Sequence, residues 1–172
     1  MVDSVAKIIE RANRGDAEAQ YILGNYYYAG EVIRQDYTQA MNLWTKSAEQ
    51  GNVWSQATLG SCYLNGYGVA QNYVQAVRWL SKAAEQGHVS SQYNLGVCYD
   101  NGYGVRQDYV QAVRWYKAAA ERGFADAQYN LAHCYREGVG VAKDYKQALW
   151  WYMQAAKQGH PEAQDALREM GV

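Results

Sequence analysis

The chain has 172 residues, enough for one sizeable domain, with 16 Lys plus Arg against 17 Asp plus Glu. That balance gives no electrostatic reason to expect nucleic acid or an anionic membrane surface as a partner. No apolar run approaches the roughly 18 residues of a membrane span, and residues 1–14 hold no apolar signal-peptide core.

Met1–Arg14 reads as a helix that starts near Asp3 or Ser4 and stops at Gly15. Four tandem copies of one pattern follow. The block Gln92–Glu121 recurs without a gap one repeat back and one repeat forward, and a looser copy starts at Gln20. The period is that of Cys62, Cys98 and Cys134, which fall in one column, 36 residues apart. A fixed period of this size marks a stacked-repeat protein.

The first half of each copy predicts a helix, over Ala17–Ala29, Val53–Asn65, Val89–Asn101 and Ala125–Glu137, with a last one starting at Pro161. That proline is the only one in the chain, and the first helical position has no use for its missing N–H. Leu95 and Tyr99 lie four apart on one helix face and repeat as Leu23/Tyr27, Leu59/Tyr63 and Leu131/Tyr135, so they are assigned to the core. Gly24, Gly60, Gly96 and Ala132 form a column beside the leucines. Their small size implies a close approach, with Ala40, Ala76, Ala112 and Ala148 of the next helix as expected partners.

Linkers of the form G-x-G follow in the last three repeats, and their second glycines (Gly68, Gly104, Gly140) predict positive φ. Val32 stands there in the first repeat, so a differently shaped linker is expected. The glycines are no phosphate cradle, since no strand precedes them and no Lys-Ser/Thr follows. Asp36, Asn72, Asp108 and Asp144 then cap second helices over Tyr37–Gln50, Tyr73–Gln86, Tyr109–Arg122 and Tyr145–Gln158. Ala112, Trp115, Tyr116 and Ala119 recur there as an apolar stripe. The tyrosine columns headed by Tyr27 and Tyr37 are read as packing within and between repeats.

The expected architecture is all-α: four full helix-hairpin repeats of period 36 with a half-repeat helix at each end, all one domain over residues 1–172. Its parts are an N-terminal capping helix (1–14), repeats over 15–50, 51–86, 87–122 and 123–158, and a C-terminal capping helix (159–172). The end helices cover a stack whose outer faces would otherwise be bare.

The pattern A-Q-Y-x-L-G-x-x-Y-x-x-G-x-G-V-x-x-D-Y-x-x-A-x-x-W-Y-x-K-A-A resembles the Sel1-like repeat, a longer-linkered relative of the tetratricopeptide repeat. Leu95, Gly96, Tyr99, Gly102, Gly104, Asp108, Ala112, Trp115, Tyr116 and Ala119 carry the match, which spans Gly15–Gly159. The resemblance implies a right-handed superhelical α-solenoid with the first helices lining a concave side. It implies a non-enzymatic adaptor that binds proteins or peptides, in bacteria often in signalling, envelope or host-interaction processes. A cysteine-rich branch of that family has a disulfide in each repeat. This chain has one cysteine per repeat, so that branch's ligands do not carry over.

Chemistry is hard to build from the remaining residues. Equivalent cysteines on stacked helices lie farther apart than a disulfide or a shared zinc ion allows, so they are read as small buried side chains. His133 and Cys134 are adjacent in sequence, which turns them about 100° apart on a helix. His88 and His160 share a helix-start column with Asp16 and Asn52, which points to capping. No catalytic residue, cofactor or metal is therefore expected.

The informative positions differ between copies yet face the concave side. They are Tyr21 and Tyr28 in repeat one and Trp54, Leu64 and Asn65 in repeat two. Repeat three has Tyr93, Asn94, Val97, Asp100 and Asn101, and repeat four has Tyr129, Asn130, His133 and Arg136. Tyr, Trp and Arg are the types enriched in binding hot spots, and Asn can pair with a peptide backbone. The expected partner is a protein or extended peptide, with no membrane insertion and no small-molecule substrate, and the aromatic and polar groups concentrate in repeats three and four. A repeat reader of single-stranded RNA is the alternative. It needs a basic track, and this face sets Arg136 against Glu18, Asp100, Asp126 and Glu137. Unpaired thiols suit a reducing cytosol. A leader removed ahead of residue 1 would make the protein periplasmic or secreted instead.

Overall fold

A computed structural model describes residues 4–172. Their regular elements are ten helices, and no strand occurs among the described residues. The chain falls into two compact units that meet in sequence at Gln86 and Gly87, which is a repeat boundary.

The first unit contains α1 (Val5–Asn13), α2 (Ala17–Ala29), α3 (Tyr37–Glu49), α4 (Val53–Asn65) and α5 (Tyr73–Glu85). Ser4 caps α1 by accepting from the Lys7 amide, and Asp3, the other expected start, lies outside the described residues. Ile8 and Ala12 of α1 pack on Ala19 and Leu23 of α2, and Arg11 bonds Asp16 at 2.8 Å. The α2–α3 and α4–α5 hairpins share a core of Ala40, Trp44, Ala48, Leu59, Cys62 and Trp79.

The second unit contains α6 (Val89–Asn101), α7 (Tyr109–Ala120), α8 (Ala125–Glu137), α9 (Tyr145–Lys157) and α10 (Pro161–Glu169). Its core runs through Ala112, Tyr116, Leu131, Ala132, Cys134, Tyr152 and Ala155 to Ala163 and Ala166 of α10. The first helices of all four repeats have the bounds read from sequence. The second helices end one or two residues earlier, where the last-turn carbonyls bond the N–H groups that lead into the next glycine.

Local chemistry explains the boundaries. Asp36, Asn72, Asp108 and Asp144 each accept a backbone N–H from the first turn of a second helix. His88 and His160 cap α6 and α10 through Nδ1. Gly68, Gly104 and Gly140 hold φ near 68°, 70° and 69°. No non-glycine described residue is at positive φ, so Val32 follows a different path, as its side chain requires. At Gly140 the reason is also spatial: a Cβ there would run into the Tyr109 backbone carbonyl at the start of α7. Tyr37 lies likewise against Gly68. Tyr37 and Tyr109 thus pack their repeats onto the next linker while remaining partly open to solvent.

The small-residue column has a different partner from the one expected. A Cβ at Gly96 would sit 2.7 Å from the Tyr116 ring, and one at Gly24 would sit 2.6 Å from the Trp44 indole. Leu80 plays this part for Gly60. The large residue four positions beyond each alanine fills the gap, because helical side chains lean back toward the N-terminus. The alanine contributes mainly backbone, as with the Ala112 carbonyl at 3.4 Å from the Gly96 position.

Glutamines tie successive hairpins together. Gln56 donates to the Ala48 carbonyl at 3.0 Å and accepts from Gln86 at 2.7 Å. Gln128 donates to the Ala120 carbonyl at 3.1 Å and accepts from Gln158 at 2.8 Å. Gln20 makes the same pair of bonds to Ala12 and Gln50. These side chains are almost fully buried, so their satisfied amides fix register where a purely apolar contact would not.

Candidate partner-binding site

The core columns face inward, so the first-helix face is composed of the residues that vary between copies. In the second unit that face belongs to α6 and α8. Tyr93 and Tyr129 stand one repeat apart on it and are half-buried. Tyr93 packs at a tilt against Phe124 at 5.0 Å and Tyr116 at 6.0 Å, and its hydroxyl bonds Asn130. Tyr129 stacks on His160 at 4.8 Å and meets Tyr152 at 5.7 Å. Each tyrosine is thus fastened along one side of its ring, and truncating it to alanine would disturb packing as well as any ligand.

The polar positions divide by how much they have left to offer. Asn101 donates its side-chain amide to the Val97 carbonyl at 2.9 Å. Asn65 does the same to Ser61 in the first unit. Arg136 bonds Glu137 at 2.8 Å, reaches Glu169 of α10 at 3.6 Å and lies over the Tyr152 ring. Its charge is largely answered within the chain. Asn94 and Val97 are half-buried, and Val97 packs on the core. His133 is exposed.

Three of the sequence-derived residues converge. Asp100, Asn130 and His133 line a cavity of about 250 Å³ together with Tyr109, Tyr116, Cys134 and Val139. Tyr116 donates its hydroxyl to Asp100 Oδ2 at 3.0 Å. Burial, reinforced by that carboxylate, holds the Tyr116 hydroxyl protonated well beyond the ordinary tyrosine range. Burial likewise pushes the Cys134 thiol up to about 12, with Asp100 adding to it. Tyr109 and Cys134 sit in columns that repeat in every copy or nearly so, and Tyr116 in one that always holds a large side chain of the apolar stripe (Trp44, Leu80, Tyr152), which is why sequence reasoning gave them to packing alone. Asp100 two residues before the linker, in a column that elsewhere holds Tyr28, Leu64 and Arg136, was the available signal.

In the first unit Tyr21 is half-buried, and Tyr28 pairs with Tyr37 at 5.2 Å and Trp44 at 5.3 Å. Leu64 is half-buried and Trp54 is 54% exposed. Trp44 donates its indole N–H to Asn25 at 3.0 Å.

The three cysteines are free and buried, and burial pushes the Cys62 and Cys98 thiols up to about 11. Among the described residues no group of His, Cys, Asp and Glu could hold a metal ion.

Hairpins stacked at a fixed period, joined by buried amides and presenting a variable face, define a helix-hairpin repeat scaffold of the α-solenoid class. The Sel1 repeat model matches residues 17–52, 55–88, 89–124 and 125–160, and the chain belongs to the Sel1-repeat family. That family commonly mediates protein–protein interaction and is generally a non-enzymatic scaffold. Among solved structures the chain is similar to a protective antigen of uropathogenic Escherichia coli strains with this repeat fold, at 40% identity and TM-score 0.93, covering 98% of this chain and 36% of that one. It is also similar to a Sel1 repeat protein from Oxalobacter formigenes (34% identity, TM-score 0.81, 95% of this chain and 65% of that one). A third is an immunity protein from Pseudomonas aeruginosa (27% identity, TM-score 0.55, 92% and 58%). The chain thus spans about a third of the first protein and just under two thirds of the second. None of the curated proteins matches the chain by sequence.

Proposed function

We propose that this chain is a non-enzymatic scaffold whose second unit holds an extended segment of a partner protein on the α6/α8 face. The observation that carries the reading is the convergence of Asp100, Asn130 and His133 on one cavity beside two fastened tyrosines. Rigid aromatic walls with a few polar groups are what peptide recognition needs, because little side-chain entropy is lost on binding. In the first unit Tyr21, Tyr28, Trp54, Leu64 and Asn65 form a plainer companion surface. Two further points support a binding role over catalysis: the family's usual role and buried thiols held protonated. The bacterial sources of the similar structures support a setting in signalling, the envelope or host interaction. A single-stranded RNA ligand is disfavoured by the near-neutral charge and by an arginine already paired with two glutamates.

Selection of ligands from a random peptide library, followed by hydrogen-exchange footprinting of the complex, tests this. Protection of α6 and α8 is expected. Protection confined to the α7/α9 side, where Lys117, Gln147 and the half-exposed Trp150 lie, overturns the assignment.

A further inference from the structure

The cavity between α6, α7 and α8 has one fixed charge and no answering one. Asp100 brings a carboxylate, and none of the lining residues is Lys or Arg. Its Oδ2 accepts from Tyr116, which orients the carboxylate and leaves most of its four lone-pair sites for another donor. The other walls suit the same visitor. Tyr109 and Tyr116 give the lining two aromatic rings, a residue type that attracts cations. Asn130 brings an amide, and Cys134 and Val139 supply apolar contact for a methylene stem. The nearest arginine along α8, Arg136, does not line the cavity and is bonded to Glu137 and near Glu169, so it does not neutralise Asp100. A volume of about 250 Å³ lies below the range of about 300–1,000 Å³ typical of small-molecule and cofactor sites, and it matches one long side chain.

We propose that this cavity is a specificity pocket for a single lysine or arginine side chain of the bound peptide, with Asp100 as its counter-ion. The proposal rests on the reading of α6/α8 as a peptide face. The head group reaches Asp100 with its N–H donors, the stem lies along Tyr109 and Val139, and the peptide backbone stays outside near Asn130 and His133. A half-exposed ion pair alone gives little affinity, so a free amine binds poorly and the surrounding peptide supplies the rest.

The test is an NMR titration at pH 8 with four blocked or simple probes: N-acetyl-lysine methylamide, N-acetyl-arginine methylamide, N-acetyl-norleucine methylamide and butylamine. The expected result is saturable shifts at the amides of Asp100, Tyr116 and His133 with the lysine and arginine probes. Norleucine should bind about tenfold more weakly, because it keeps the stem and loses the charge-assisted hydrogen bonds. Asp100→Asn should weaken the lysine and arginine probes by about the same factor. Asp100→Leu, which copies Leu64 of repeat two, serves if the Asn variant unfolds. Equal binding of lysine and norleucine, unchanged binding to the Asp100 variants, or no saturable shift at the highest soluble concentration overturns the pocket. Butylamine binding as tightly as blocked lysine makes it a free-amine site and overturns the peptide assignment. The library experiment separates the two readings. Selected peptides that protect α6/α8 but carry no basic residue sink the pocket alone, whereas protection elsewhere sinks the peptide face and leaves the titration to decide the pocket.

Discussion

Repeats three and four share a core and differ at one polar tip. Tyr116 and Tyr152 occupy the same column, both almost wholly buried. Tyr116 ends on Asp100, and a cavity opens beside that pair. Tyr152 meets Arg136 in the Asp100 column instead, and its hydroxyl is buried without a hydrogen-bond partner among the described residues. A buried hydroxyl left unpaired costs about 1–3 kcal/mol. Repeat four therefore holds its tyrosine by packing alone, while repeat three spends the same ring on placing a carboxylate. The comparison shows how copies of a repeat diverge: the scaffold columns remain, and one first-helix position changes what the core residue behind it does.

The largest effects should be shared. Leu95→Ala and Leu131→Ala each remove a side chain with no more than 1% exposure, and each should lower stability by about 2–5 kcal/mol in urea unfolding. A gap between them well beyond the spread of such measurements would break the premise of equal cores. The joint between the two repeats comes next. Gly140→Ala forces a methyl against the Tyr109 carbonyl in a left-handed conformation and should cost about 2–4 kcal/mol, read as a lower Tm.

The hydroxyl tips should then differ in sign. Tyr116→Phe should destabilise by about 1–2 kcal/mol by removing a hydrogen bond to a charged acceptor. Tyr152→Phe removes an unpartnered group and should be neutral or stabilising by up to about 1 kcal/mol. Equal losses in both would show that Tyr152 has found a donor or acceptor after all.

The smallest effect concerns the helix starts. His88 accepts from the Ser91 amide, whereas Phe124 gives α8 no side-chain cap bond. Burial, then the Arg122 charge, holds the His88 imidazole below its ordinary value of 6.5. The folded state thus binds its proton less readily than the unfolded chain. Its contribution is complete above that ordinary value and is lost as pH falls beneath it. Unfolding curves from pH 7.5 down to about 5 should show a loss of under about 1 kcal/mol from this cap, and His88→Asn should flatten that slope. An unaltered slope would assign the acid sensitivity to other groups.

How far sequence reasoning reached follows the same physical lines. Helix limits were legible because Asp, Asn and Gly at their ends act locally, as Asp108 and Gly102 do. The partner of Gly96 was not, since small opposite small looks complementary on paper while the lean of a side chain decides the contact. The buried glutamines were visible as the letter that opens each copy, yet their bonds reach eight and thirty residues along the chain, beyond any helical period. Arg136 looked like an anchor because its answering Glu169 lies in the incomplete last copy, where no register argument applies. Asp100, Asn130 and His133 were legible as variable positions. Their meeting with Tyr109 and Tyr116 was not, because an invariant tyrosine and a large residue of the apolar stripe carry no mark distinguishing a wall from a core.

The glutamine bonds have a consequence for how such a chain lengthens and shortens in evolution. Gln128 grips the Ala120 carbonyl on one side and takes the Gln158 amide on the other, and Gln164 repeats the first grip on Ala156. This last joint thus presents the same socket it plugs into, whereas repeat three has Arg122 where the other copies have Gln50, Gln86 and Gln158. Excising residues 123–158 in register would set Gln164 beside the carbonyl that Gln128 leaves, and duplicating them would create a new joint already matched on both sides. A gene that gains or loses one whole unit by unequal recombination then encodes a protein whose seams fit at once, without compensating substitutions. Chain length is in that sense a freely inherited trait of this architecture, and the ligand-facing positions can diverge afterwards, copy by copy.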